Sequence, residues 1–100
     1  MRRKDHLYFI QEKGTGYIKI GRSVDPKRRL RALQTGNGSK LKLVAVFEGQ
    51  GNLETHLHDT LASWRLKGEW FHYDCVGSIP TDLYEQIEWG AFDGWWEEKK

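Results

Sequence analysis

The sequence predicts a small α/β domain of the α+β type, in which a three-stranded, mainly antiparallel sheet is flanked by helices. Apolar and polar residues alternate over residues 6–11 and 17–20, the pattern of strands with one buried face. The apolar run over 41–48 predicts a third strand that is not exposed on both faces. Helix-start signals at Asp25 and Asn52 place helices after the second and third strands.

The first two strands are predicted to form a hairpin, because the residues between them, 12–15, include a glycine. If Gln11 pairs with Gly16, the apolar residues of both strands share one face, and a slip by one residue would mix the two faces. This register places Tyr8 directly opposite Lys19. We therefore expect their Cβ atoms to lie about 5 Å apart.

The first helix is predicted to begin at Pro26 and to end near Thr35. Asp25 can accept a hydrogen bond from a free backbone N–H of the first turn, and proline needs no amide partner there. Leu30 and Leu33 form its buried stripe. The rest of its surface is basic, with Lys27, Arg28, Arg29 and Arg31.

A second helix is predicted from residue 53 to about residue 65, with Asn52 as its N-cap. Four apolar residues form its core face, namely Leu53, Leu57, Leu61 and Trp64. An adjoining stripe aligns Glu54, His58 and Arg65. This row has two interpretations, a functional site or a surface helix stabilised by ion pairs.

Charge is divided unevenly along the chain. Residues 1–50 contain 12 Lys and Arg against 4 Asp and Glu, whereas residues 51–100 contain 4 against 10. A first half this basic predicts a phosphate-rich partner, with an ordinary solvated surface as the alternative. The candidate substrate-positioning residues are Arg22, Lys27, Arg28 and Arg31.

Composition also limits where the protein works. No run approaches the ~20 consecutive apolar residues of a membrane helix, and the first residues are charged without the apolar stretch of a secretory signal. Cys75 is the single cysteine, so no internal disulfide can form. We expect a soluble, cytoplasmic protein without a membrane partner.

Several motifs resemble the GIY-YIG nuclease family. Leu7-Tyr8, followed by Ile-Lys-Ile-Gly over 18–21, is similar to the two-part signature of that family. The segment Gly-Arg-Ser-Val-Asp-Pro-Lys-Arg-Arg-Leu resembles the part that carries its catalytic arginine, here Arg29. Glu54, at the start of the second helix, resembles its metal-binding glutamate.

The resemblance extends to a branch found in phage and small bacterial proteins. That branch has a lysine in the second signature, here Lys19, and a histidine in the second helix, here His58. It also ends on Arg-x-x-Gly-Glu-Trp-Phe, which stands at residues 65–71. Two departures from the wider family are His6 in place of the first signature glycine and Lys19 in place of the second signature tyrosine.

The resemblance implies a metal-dependent endonuclease that hydrolyses phosphodiester bonds in DNA. Glu54 would hold one divalent cation, Mg²⁺ or Mn²⁺, and Arg29 would bind the scissile phosphate. Tyr8 would take a proton from water, and the ammonium group of Lys19 beside it would favour the phenolate. His58 would be the rival base or a donor to the phosphate.

By this resemblance, residues 1–77 form a GIY-YIG-like nuclease domain. Residues 78–100 add a helix, predicted over 78–89, and an aromatic and acidic tail packed on or extending from the same domain. Within the tail, Trp95 and Trp96 are candidate contacts for a protein partner or a second copy of the chain.

Other interpretations remain open at this stage. Arg29 and Glu54 could form a structural ion pair, and Tyr8 and Lys19 could be ordinary strand residues. His56 and His58 cannot share a zinc ion, because residues two apart on a helix point to opposite sides. The competing functions are a non-catalytic nucleic-acid-binding module and an accessory subunit of a larger DNA-processing complex.

Overall fold

The structure is a computed structural model that describes residues 4–87. Its strands are β1 (His6–Glu12), β2 (Ile18–Ser23), β3 (Leu41–Phe47), β4 (Arg65–Lys67) and β5 (Trp70–Phe71). Its α-helices are α1 (Pro26–Thr35), α2 (Leu53–Thr60) and α3 (Thr81–Tyr84), and 3-10 helices span Ala62–Trp64 and Tyr73–Ser78. The strands form one antiparallel sheet in the order β3-β1-β2-β5-β4.

The prediction of three strands is wrong, because β4 and β5 extend the sheet to five. These strands have three and two residues, which is too short for an alternating pattern to stand out in the sequence. Gly68 lies between them with a φ of +57°, in the left-handed region that glycine adopts without strain. The antiparallel arrangement and the α+β class are confirmed.

The predicted register of β1 and β2 is wrong by two residues. Tyr8 pairs with Gly21 rather than with Lys19, and Lys19 pairs with Ile10. Gln11 was expected to pair with Gly16 through the backbone. Instead, its side-chain amide donates a hydrogen bond to the carbonyl oxygen of Gly16 at 3.1 Å. Because the shift is an even number of residues, each side chain keeps its predicted face.

Each face of the sheet carries its own apolar cluster. One cluster joins the first face to α2, to the second 3-10 helix and to α3; its fully buried members are Leu7, Phe9, Ile18, Ile20, Leu57, Leu61, Phe71 and Cys75. On the opposite face, Tyr8, Ile10 and Leu41 are buried against Leu30 and Leu33 of α1. That helix lies over β3, β1 and β2, so it holds its arginines beside the second face.

The start and stop of α1 are as predicted. Asp25 accepts a hydrogen bond from the backbone N–H of Arg28 at 3.2 Å, Pro26 is the first helical residue, and Gly36 follows the last. Leu30 and Leu33 are only half-buried, but they face the sheet as expected.

The other two helices are shorter than predicted. The helix α2 ends at Thr60, and a 3-10 helix then keeps Trp64 against the core, so Arg65 lies in β4 and not on the stripe of Glu54 and His58. Asn52 makes no side-chain capping bond. The third helix is reduced to α3, and the tail with Trp95 and Trp96 lies outside the described residues.

Within residues 4–87, no helix is both long enough and apolar enough to cross a membrane.

Candidate functional site

The candidate site lies where Tyr8 of β1 meets Gly21 of β2. Tyr8 is 1% exposed, and its hydroxyl reaches the space above Gly21. A Cβ atom on Gly21 would lie 2.5 Å from the Tyr8 hydroxyl oxygen and 2.9 Å from Oε1 of Glu69. The missing side chain therefore leaves room for two functional groups to converge from β1 and from the turn between β4 and β5.

We expect Gly21→Ala to destabilise the fold, because the added methyl group overlaps a buried ring that cannot easily move. Overpacking of this kind costs about 1–3 kcal/mol, and it should appear as a lower midpoint in urea unfolding. Gly38→Ala is the matched control, since a Cβ there meets nothing within 4 Å. Equal unfolding midpoints for the two variants would contradict this close packing.

Arg29 brings α1 to the site. Burial raises the pKa of Tyr8 above its ordinary value, and a hydrogen bond from Arg29, together with its charge, only partly opposes this. Tyr8 is therefore a neutral phenol at neutral pH. The alternative ion pair between Arg29 and Glu54 is not formed among the described residues.

Two carboxyl groups, those of Glu54 and Glu69, face each other across the site. Burial, and then the hydrogen bond and charge of Glu69, raise the pKa of Glu54. Burial would also raise the pKa of Glu69, but hydrogen bonds from Lys19 and Glu54 outweigh it and the pKa is lowered. The two acids therefore repel each other when both are ionised, and this favours a bound cation or a shared proton.

Lys19 is paired with Glu69 and not with Tyr8. Its Nζ atom lies 3.0 Å from Oε1 of Glu69 and 5.7 Å from the centre of the Trp70 ring, and its side chain is 8% exposed. The predicted effect of Lys19, which was to favour the Tyr8 phenolate, is wrong because the register differs and the pKa of Tyr8 is raised. The ammonium group acts on a carboxylate instead.

His58 connects α2 to the middle of β2, at Ile20. Its Nε2 atom lies 2.8 Å from the carbonyl oxygen of Ile20 and 3.8 Å from Oε2 of Glu54, and its ring packs edge-on against Phe71. A carbonyl oxygen can only accept a hydrogen bond, so Nε2 carries the proton. The nitrogen that faces Glu54 is thus a donor in this arrangement, and it cannot take a proton from water.

The predicted substrate-positioning residues are all exposed. Lys27, Arg28 and Arg31 lie on α1, whereas Arg22 lies on β2 opposite Leu7, on the face that packs against α2. Arg28 and Arg29 line a shallow hollow with Ser23 and Ala32. Arg22 lies 3.4 Å from Asp5, and its charge also lowers the pKa of Glu54. Lys27 and Arg31 are exposed residues of α1 outside this hollow.

Sequence reasoning missed Glu69 as a site residue. The motif that ends the resemblance contains it, directly after Gly68, but nothing local marks it as functional. Its backbone carbonyl accepts a hydrogen bond from the N–H of Ile20 at 3.1 Å, which fixes the turn beside β2. The pairing of β5 with β2 is what brings this carboxylate to Lys19 and Glu54.

The donor set fits a hard cation that keeps most of its water. Within residues 4–87, no group of three or more His, Cys, Asp or Glu side chains could hold a metal ion. Glu54 and Glu69 offer two neighbouring carboxylates, and Mg²⁺ commonly binds through one or two carboxylates together with substrate phosphate and water. The residues present therefore fit such an ion without enclosing it.

The profile of the T5orf172 domain family matches residues 5–90 of the chain. This match covers every element described above, and the chain belongs to the T5orf172 domain family. Comparison with curated proteins and comparison with solved structures both gave no match.

Proposed function

We propose that the chain is a metal-dependent endonuclease of the GIY-YIG type that hydrolyses phosphodiester bonds in DNA. The observation that carries this proposal is the convergence of three elements on Tyr8: its hydroxyl lies above Gly21, Arg29 of α1 hydrogen-bonds to it, and the charge of Glu54 of α2 acts on it. Membership of the T5orf172 family and the resemblance of the motifs support the same reading. A phosphate with a hard cation fits the guanidinium and the paired carboxylates together.

Arg29 is proposed to bind the scissile phosphate. Its guanidinium is exposed to an incoming ligand yet adjoins the Tyr8 hydroxyl, so a phosphate held there would lie next to the phenol. A planar guanidinium can contact two phosphate oxygens and keeps its charge at all working pH values. It would therefore stabilise the negative charge that develops in the transition state.

Tyr8 is proposed as the base that takes a proton from the attacking water. Because burial raises the pKa of Tyr8, the reactive phenolate is a small fraction at neutral pH and grows as the pH rises. Arg29 is the described group that opposes this rise in pKa most strongly. Activity should thus increase into the alkaline range.

Glu54 and Glu69 are proposed to hold one divalent cation, Mg²⁺ or Mn²⁺. When bound, such an ion supplies charge neutralisation at the phosphoryl oxygens. Lys19 would position Glu69 through the 3.0 Å contact, and His58 would position Glu54 relative to Ile20 of β2. We accordingly assign Lys19 and His58 as positioning residues.

Cleavage of supercoiled plasmid with Mg²⁺ or Mn²⁺ tests this function, with EDTA as the control. We expect nicked or linear products only when the metal is present. A preparation that binds DNA but never cuts plasmid, duplex or single-stranded substrates with either metal would contradict the proposal. That result would favour a non-catalytic nucleic-acid-binding module.

A further inference from the structure

The edge strand β4 carries two basic residues in a stretch of sequence that otherwise has none. Arg65 and Lys67 are the only Lys or Arg between residues 43 and 98 of an otherwise acidic half. Both are exposed, as is Leu66 between them. All the Lys and Arg residues of this stretch therefore lie on one three-residue strand, which suggests a role for positive charge at this edge of the sheet.

Register places Lys67 on the same face of the sheet as the candidate site. One row of directly paired residues crosses the sheet, namely Leu43, Ile10, Lys19, Trp70 and Lys67. Directly paired residues point to the same side of a sheet. Tyr8 belongs to this face as well, since it lies two residues from Ile10 on the same strand.

The helix α1 covers one end of this row, and Lys67 stands at the other. Leu30 and Leu33 of α1, like Leu43, pack against the buried cluster that contains Ile10. Strands lie about 4.8 Å apart, so Lys67 is roughly 10 Å beyond Lys19. That span equals about three base-pair steps of ~3.4 Å along a duplex.

We infer that β4 is a second contact for the nucleic-acid backbone, on the side of the site opposite α1. This inference rests on the proposed function. It predicts that the substrate runs from the arginines of α1, past Tyr8 and Trp70, to Lys67. Arg65 supports the contact indirectly, because its Nε donates to the carbonyl oxygen of Gly68 at 2.6 Å and braces the turn. Charge complementarity with phosphate is the basis for choosing this occupant.

Edge strands also carry lysine for another reason, since a charge there discourages pairing with other chains. The charge-reversing variant Lys67→Glu separates the two roles. A glutamate still protects the edge but repels phosphate. Lys40→Glu is the matched control, because Lys40 is exposed next to β3 at the opposite edge of the sheet.

The test measures the affinity for a short fluorescent duplex in EDTA between about 50 and 200 mM salt. We expect Lys67→Glu to raise the Kd about fivefold or more and to reduce the slope of log K against log salt by about 0.9, the value for one phosphate contact. Circular dichroism checks that both variants fold. Lys40→Glu should change either quantity much less.

Each outcome has a distinct meaning. If the wild-type chain binds with a steep salt dependence and Lys67→Glu binds equally well, the inference is wrong and the proposed function stands. If Lys40→Glu lost as much affinity for the duplex as Lys67→Glu, the loss would come from the change in net charge, and the inference would also be wrong. Absence of binding by the wild-type chain would overturn the inference, whereas the proposed function is decided separately by the plasmid-cleavage test with Mg²⁺ or Mn²⁺.

Discussion

Arg29→Ala and Glu54→Ala are each expected to reduce metal-dependent cleavage by at least about 10²-fold while the domain stays folded. Both side chains are proposed to act on charge that develops in the transition state, and loss of one such group typically costs 10²–10³ in kcat. Neither belongs to an apolar cluster. Single-turnover cleavage rates with saturating Mn²⁺ are the measurement.

Two contrasts make these losses interpretable. Asp59→Ala, an exposed carboxylate on the same helix as Glu54, should cleave as the wild type does. Arg31→Ala, on the same helix as Arg29, should mainly raise KM, because a phosphate contact away from the reacting atoms affects binding. Normal cleavage by both Arg29→Ala and Glu54→Ala would show that the site is assigned to the wrong residues.

Stability adds a check on Glu54. Because its folded-state pKa is raised, this carboxyl contributes most to stability below the ordinary glutamate pKa, and the contribution is lost as pH rises through the folded-state value. Glu54→Gln removes the ionised form, so its melting temperature at pH 7 should equal or exceed that of the wild type. The difference should vanish in acid.

Tyr8→Phe is expected to leave almost no cleavage at any pH, since it deletes the proposed base and keeps the ring. General-base catalysis is worth about 10²–10⁴-fold. The wild-type rate should rise with pH through the neutral and alkaline range, because burial raises the pKa of Tyr8. The variant should show no such rise.

His58 and Lys19 supply the contrast for Tyr8. His58→Ala should lower the rate without removing its alkaline rise, since Nε2 of His58 is hydrogen-bonded to the carbonyl oxygen of Ile20 and His58 is proposed only to position Glu54. Lys19→Met should act through Glu69, by weakening the apparent affinity for Mn²⁺, and should leave the shape of the pH profile unchanged. Retained activity in Tyr8→Phe together with its loss in His58→Ala would make His58 the base.

Much of the fold was accessible from local patterns. Alternation assigned the faces of β1 and β2 correctly, and the cap formed by Asp25 and Pro26 fixed the start of α1. The register was not accessible, because it depends on the Gln11 side chain bonding across the turn to Gly16. The secondary-structure propensity of single residues does not show that a side chain will bond to a backbone carbonyl where two strands were expected to pair.

Some residues of the candidate site were also predictable from the sequence, and others were not. The motifs singled out Tyr8, Arg29 and Glu54, and these residues do converge in the structure. Glu69 was missed because a two-residue strand brings it to the site, and so short a strand leaves no periodic pattern. The partner of Lys19 was misassigned because the register of β1 and β2 differs from the predicted one, and the partner is Glu69.

The pairing of β5 with β2 has a consequence for the order of events during translation. It joins Ile18 to Phe71 and Lys19 to Trp70, residues about fifty positions apart in the chain. Until residue 71 has left the ribosome, β2 is an open edge that another chain can pair with. The hairpin of β4 and β5 also carries Glu69 in its turn. When this hairpin pairs with β2, it covers the open edge and brings Glu69 next to Lys19 and Glu54 in the same step.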